Sequence, residues 1–234
     1  MIDRLKADLY KYSSEERSIA TQRYFKTGKG EYGEGDIFIG ISNPDLRIAI
    51  KPYINSLELS EVENLLKSRE HEFRLAALLI LVQQFRMKKN LQESIVNIYI
   101  SNTSYINNWD LVDLSAHVIL GPWLENKPRY ILYDFANSGD LWKERISVLT
   151  TLHFIKKNRD FKDIFKISEI LLNHQHDLIH KAVGWMLREV GKISILEEEK
   201  FLKQHYKIMP RTMLRYAIEK FPQEKRQSYL KGLV

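Results

Sequence analysis

Hydrophobic positions recur at helical spacing along nearly the whole chain, and no stretch sustains the alternation of a half-buried strand. The pattern predicts helices over residues 2–11, 14–26, 44–55, 60–68, 71–87, 91–101, 107–120, 127–137, 141–157, 162–174, 177–191, 195–206 and 210–220. A short last helix follows Pro222. Two starts look capped: Ser13-x-x-Glu16 and Ser60-x-x-Glu63 both read as capping boxes. The segments "FRLAALLIL", "WDLVDLSAH", "ERISVLTTL", "HKAVGWMLR" and "LRYAIEKF" align on Arg74, Asp110, Arg145, Lys181 and Arg215. Those residues are 36, 35, 36 and 34 positions apart. A repeat of that length, made of two antiparallel helices, is the signature of an α-solenoid, in which stacked pairs bury faces that no pair can bury alone. An irregular all-α bundle is the alternative.

The aligned second helices predict one layer, read as a concave face, that carries Arg74, Lys143, Arg145, Lys156, Lys157, Lys181, Arg188, Arg211 and Arg215. The intervening helices are mixed or acidic, as in "ILEEEKFLKQ". A basic concave face suits a duplex backbone; a solvated charged face is the plainer reading. The net charge of +6 agrees with a polyanionic partner without requiring one. The chain has no cysteine, so it forms no disulfide and no thiolate metal site, which fits a reducing cytoplasm. The first residues, "MIDRLKADLY", lack the apolar core of a secretory signal. The longest apolar run, "LAALLILV", falls far short of the roughly 20 residues of a membrane span.

Two motifs suggest chemistry that their context refuses. Gly28-x-Gly30-x-x-Gly33 matches a dinucleotide fingerprint, but a helix precedes it where a strand is required, so it reads as a flexible connector. His174, His176 and His180 suggest a metal site. Asp177 reads as the N-cap, which leaves His176 outside the helix, and no Glu follows the first His, so a loop or helix-entry role is expected.

A more informative group lies on the repeats. Asn107 reads as an N-cap, which puts Asp110 at the third helical position, where a carboxylate suits free N–H groups and the helix dipole. Asp113 lies one turn deeper, on the same face as Trp109. Arg145 and Trp185 occupy the same layer in later repeats, and Gly184 sits mid-helix at a cost of about 1 kcal/mol, which marks a close approach. Singly, each is explained by core packing or a structural ion pair. Together, two indoles, a carboxylate and a guanidinium on one layer outline a site.

In "RYFKTGKGEYGEGDIFIGI", "NNWDLVD", "WKERISVL", "HKAVGWMLRE" and "MPRTMLRYAIEKF", in that order and spacing, the chain resembles the AlkD-like DNA alkylation repair proteins, bacterial DNA glycosylases built from HEAT-like repeats. The resemblance covers nearly all of it and implies one HEAT-like repeat domain over residues 1–234. It implies excision of 3-methyladenine and 7-methylguanine from duplex DNA in base excision repair, with the lesion left largely stacked. By motif, the catalytic aspartate falls on Asp113, the lesion-flanking tryptophans on Trp109 and Trp185, the active-site arginine on Arg145 and a cleft tyrosine on Tyr24. Ser42 stands where relatives carry glutamine, and His153 where they carry lysine. Lys143, His153, Lys156, Lys181, Arg188, Arg211 and Arg215 are the further candidates for DNA contact. A monomer without metal or cofactor, in the cytoplasm and associated with the nucleoid, is the expectation. From the sequence, neither His117 nor His153 is expected to act as a general acid, and His153 is expected to lack a partner. The competing reading is a non-catalytic repeat protein that binds DNA, branched DNA included, or an acidic protein; Asp113 separates the two, since a pure polyanion binder gains nothing from it.

Overall fold

A computed structural model describes residues 1–234. The protein is an all-α helical-repeat protein. Fourteen α-helices follow one another, and the only extended pairing is an isolated bridge between Ile37 and Glu70. No helix is long and apolar enough to cross a membrane. The chain divides into two compact units, Met1–Ser115 and Ala116–Val234.

The first unit contains α1 (Ile2–Tyr10), α2 (Glu15–Tyr24), α3 (Asn43–Ile50), α4 (Leu59–Leu66), α5 (His71–Met87), α6 (Gln92–Ser101) and the start of α7 (Trp109–Trp123). Its centre is α5. The run Leu75–Val82 is buried on every side, which is why it looked membrane-like in sequence yet belongs to a core. Helices α4 and α5 pack as a hairpin, and α3 and α6 pack against α5.

The second unit holds the rest of α7, then α8 (Tyr130–Ala136), α9 (Leu141–Asn158), α10 (Lys162–Ile170), α11 (Asp177–Ile193), α12 (Ile195–His205), α13 (Arg211–Ala217) and α14 (Gln223–Lys231). The long helices α9 and α11 carry its core and pack on each other; α8 packs on α9, and α13 on α11. The five residues used to align the repeat fall on α5, α7, α9, α11 and α13, one on each.

Several boundaries differ from the sequence expectation, each for a local reason. Ser14, not Ser13, caps α2, its hydroxyl accepting the Arg17 N–H at 3.4 Å, while the Ser13 hydroxyl donates to the Tyr10 carbonyl. Glu58, not Ser60, precedes α4, and Glu61 takes the role expected of Glu63 by accepting the Glu58 N–H at 3.3 Å. Helix α8 starts at Tyr130, because Pro128 disfavours helical geometry at Lys127. Helix α10 stops at Ile170, where the Leu171 N–H closes on Glu169 and Ile167. The loop at 27–35, expected to be a flexible connector, is tied by its own carboxylates: Gly28 N–H donates to Glu31 at 2.9 Å and Gly30 N–H to Glu34 at 2.7 Å.

Gly184 does mark a close approach, and what approaches is α13. A Cβ at this position would lie 2.4 Å from the Met213 carbonyl oxygen and 2.5 Å from Tyr216 Cβ, neither of which can swing aside. Gly184→Ala should therefore cost about 1–3 kcal/mol by overpacking, despite the ~1 kcal/mol that alanine gains in helix propensity. Urea unfolding should show a lower midpoint with an unchanged slope. A midpoint equal to or above that of the wild type would mean that α11 and α13 are not packed this closely.

Candidate active site

Trp109 is the first residue of α7. The helix begins one residue later than expected: Asn108, not Asn107, stands before it, with its side-chain oxygen 2.8 Å from the Trp109 N–H and its carbonyl accepting from Val112. Asp110 is then the second helical residue and does more than cap. One carboxylate oxygen accepts the Leu111 N–H at 2.9 Å, and the other accepts from His71 Nε2 at 2.8 Å.

His71 opens α5 and is only 1% exposed. Its Nδ1 lies 2.9 Å from Asp36 Oδ2, and Asp36 Oδ1 accepts from Arg74 Nη2 at 2.5 Å. Arg74 Nη1 donates to the Ser68 and Arg69 carbonyls at 3.1 and 2.8 Å. An ionised carboxylate can only accept, so a ring held between two of them donates from both nitrogens and is an imidazolium. Burial works against that charge, but the Asp110 charge and the hydrogen bonds to Asp110 and Asp36 outweigh it and raise the His71 pKa from 6.5 to about 9. Burial likewise opposes ionisation of Asp36; the hydrogen bond and charge of His71, with the charge of Arg74, prevail and hold its pKa below the ordinary 3.8. Two cations and two anions thus close a neutral network. Arg74, expected on an open basic layer, is an internal counter-ion instead.

The next residue of α5 fixes the neighbouring loop. The Glu72 carboxylate accepts the N–H groups of Ile39, Gly40 and Ile41 at 3.0, 2.8 and 3.2 Å. Gly40 is required here: its φ is +78°, and a Cβ would sit 2.0 Å from the Ser14 carbonyl oxygen. Ser42 caps α3 by accepting the Asp45 N–H at 3.3 Å.

The loop so held delivers Phe38 onto the face of His71, with ring centroids 4.3 Å apart. Phe25 stacks on Phe38 at 4.9 Å and on Trp109 at 5.1 Å, the latter with planes 13° apart. Tyr24, 66% exposed, meets Trp109 edge-on at 5.9 Å. The structure therefore brings two of the sequence candidates, Tyr24 and Trp109, into one aromatic group. Asp113 lies one turn further along α7 and is half-buried. Burial, reinforced by the Asp113 charge, pushes the fully buried Tyr99 hydroxyl well above its ordinary pKa of 10, while that hydroxyl pairs with Ser115 at 3.0 Å.

In the second unit, Arg145 is only 4% exposed and donates from Nη1 to the Leu178 carbonyl at 2.6 Å, which ties α9 to the start of α11. The half-buried Trp185 donates from its indole N–H to Glu189 at 3.2 Å. Glu189 also pairs with Lys192 at 2.5 Å and with Lys156 at 3.7 Å. Most of the other expected DNA-contacting residues of this unit already have acidic or carbonyl partners. Lys181 pairs with Asp177 at 2.6 Å, Arg188 with Glu219, and Arg211 donates to the Leu230 carbonyl at 2.9 Å. Lys143 is half-buried and Arg215 exposed. His153, expected to lack a partner, faces Glu125 at 3.5 Å; burial, not fully offset by that carboxylate, lowers its pKa. The three histidines at 174–180 organise the entry to α11. His176 itself is the N-cap in place of Asp177, accepting the Leu178 N–H at 3.1 Å. His174 pairs with Glu144 at 2.8 Å, and His180 donates to the His174 carbonyl at 2.5 Å.

Sequence reasoning missed Asp36, His71, Glu72, Phe25 and Phe38. Phe25 adjoins Tyr24, so an aromatic pair was readable. Nothing local linked Asp36 or Asp110 to His71, which lies 35 residues from the one and 39 from the other.

The fold has a counterpart among solved structures. A structure described as a predicted DNA alkylation repair enzyme from Enterococcus faecalis superposes with a TM-score of 0.72 at 17% identity, covering 90% of this chain and 97% of that one. The likeness defines an all-α helical-repeat protein. The sequence places it further: the family model of the DNA alkylation repair enzymes matches residues 5–221, and the chain belongs to that family. No curated protein matches it significantly.

The buried network makes a pH prediction. A His71 pKa raised from 6.5 to about 9 contributes stability that is complete below pH 6.5 and is lost as pH rises through 9. The lowered Asp36 contributes stability that is complete above its ordinary 3.8 and is lost on further acidification. The stability difference between wild type and His71→Gln, from urea midpoints, should shrink steadily between pH 6.5 and pH 9.5. A difference that stays level across that range would exclude a charged His71.

Proposed function

We propose that this protein is a monofunctional DNA glycosylase that removes cationic N3- and N7-alkylated purines, 3-methyladenine and 7-methylguanine, from duplex DNA. The observation that carries the reading is the placement of Asp113: a half-buried carboxylate one helical turn from Trp109, on a helix whose first turn is pinned and whose tryptophan is backed by stacked rings. Membership in a family of DNA alkylation repair enzymes supports it.

The chemistry asks little of such a site. An N3- or N7-alkylpurine already carries a positive charge and departs as a neutral base, so no general acid need protonate it. Positive charge then develops on the deoxyribose. In this reading the Asp113 carboxylate stabilises that cation and orients, or takes a proton from, the attacking water. The Trp109 face offers its quadrupole to the same cation. Arg145 and Trp185 take the roles that the motif resemblance implies, a phosphate contact beside the lesion and a second aromatic wall. Tyr24, Lys143, His153, Lys156, Lys181, Arg188, Arg211 and Arg215 are proposed to contact the backbone. Phosphate contacts fix register without reading sequence. Lys156, Lys181 and Arg188 would exchange a protein carboxylate for a phosphate, so their contribution is the difference between the two partners.

Asp113→Asn keeps shape and removes the charge. Excision of 7-methylguanine from a defined duplex should fall by about 100-fold or more while duplex affinity stays close to wild type, since the lost interaction acts mainly in the transition state. Near-normal excision by this variant would remove Asp113 from the chemistry and leave a DNA- or protein-binding repeat protein as the better reading.

Dependence on a cationic leaving group sets the lesion range. On duplexes with one lesion each, scored for abasic-site formation, 7-methylguanine and 3-methyladenine should be released, whereas uracil and ethenoadenine, neutral bases whose departure needs protonation or a tight pocket for the flipped base, should persist. Efficient uracil release would point to a closed base-reading pocket and a different mechanism.

A further inference from the structure

We infer that His71 is a positioning residue for Trp109 and Asp113: it grips the first turn of α7 through Asp110 and supports, through Phe38 and Phe25, the ring stack on which Trp109 lies. The inference rests on the proposed reaction for its consequence in catalysis, but not for its geometry.

Helix termini are where backbone hydrogen bonding is incomplete and fraying begins. Trp109 is the first residue of α7, so its orientation is the least constrained by the helix itself. Two contacts supply the missing constraint, and both end on the same imidazole. Along the backbone, the Asp110 carboxylate bridges the Leu111 N–H at 2.9 Å and His71 Nε2 at 2.8 Å, so a rotation of the first turn would break a partly buried ion pair. Through the side chains, His71 stacks on Phe38, Phe38 on Phe25 and Phe25 on Trp109, with centroids 4.3, 4.9 and 5.1 Å apart. Fixing the first turn fixes the next one, since Asp113 follows Trp109 by one helical turn.

The ring cannot serve both ends unless it carries two protons. A neutral imidazole has one N–H, so one of the two carboxylates would face a lone pair at under 3 Å. The charged groups around it are few and come from three elements. Asp36 lies on the loop before α3, Asp110 on α7, and Arg74 and Glu72 on α5 itself. Arg74 is turned to Asp36, and the Glu72 carboxylate is occupied by the Ile39, Gly40 and Ile41 N–H groups. Phe25 and Phe38 lie against the ring without charge. Its burial and its two carboxylate partners set this histidine apart from the six others, all of them half-buried.

The test combines a spectroscopic readout with a kinetic one. The indole N–H resonance of Trp109, assigned by its loss in Trp109→Phe, is followed by NMR in the full chain from pH 7 to pH 10.5. In wild type it should titrate with a midpoint near 9; in His71→Gln it should start at a shifted position and lose that titration. In single-turnover assays at pH 7, His71→Gln should excise 7-methylguanine at least about 10-fold more slowly while duplex affinity changes by less than about 3-fold, the split expected when reacting groups are misplaced but binding is not. A flat wild-type resonance, or a folded His71→Gln with unchanged resonance and excision, overturns the inference. A matched loss of excision and duplex affinity overturns it too, since that is the mark of a merely structural residue. If His71→Gln does not fold, the wild-type titration decides. If wild type releases no alkylpurine at all, the proposed reaction fails, and the resonance still reports whether His71 positions Trp109.

Discussion

Two carboxylates close to one another in a protein interior repel, and each resists losing its water. Asp36 and Asp110 occupy such a position, and only the two cations between and beside them, His71 and Arg74, make it tolerable. The partners come from a loop, the start of α5 and the start of α7, so satisfying the charges dictates where three segments meet. Glu72 extends the constraint by collecting three successive N–H groups of the same loop, and the left-handed Gly40 lets the loop lie against α2. The aromatic group of Phe38, Phe25, Trp109 and Tyr24 is assembled on that frame.

The second unit uses the same device with different residues. Polar side chains near its helix starts reach forward to the loop or helix start of a later helix pair. Glu144 takes His174, Arg145 takes the Leu178 carbonyl, and Arg129 is shared between Asp160 and Asp163 while Tyr133 donates to Asp163 as well. Stacked helices can slide along one another, because apolar packing is only weakly directional. Charged contacts at the helix starts set the axial position. Hence Glu144, Arg145 and Asp163 are buried, even though sequence reading placed Arg145 on an open basic face.

A protein that contacts phosphates needs cations that are held but not consumed. The acid-paired Lys156, Lys181 and Arg188 are exposed or half-buried, where the pairs are weak and salt-sensitive and a carboxylate is readily traded for a phosphate. Arg74 stands at the other extreme, committed to a buried partner. The difference between them is solvation, not residue type.

Much was legible in the sequence. The helical period and the spacing of the five aligned helices pointed to an all-α repeat protein, because helical periodicity is a property of neighbouring residues, and the resemblance of the motifs around Trp109, Asp113, Arg145 and Trp185 pointed to the DNA alkylation repair family. Asp113 stood out because it lay too deep in its helix for a capping role. Cap positions shifted by one or two residues wherever adjacent polar side chains could serve equally, as with Ser13 and Ser14. The partner of Asp110 was not legible at all. Its neighbours explained it well enough as a cap, and the histidine that engages it lies 39 residues away. Only the packed chain decides which distant charges share a low-dielectric interior, and there a charge must find its counter-ion or be neutralised, a carboxylate by gaining a proton and a histidine by losing one.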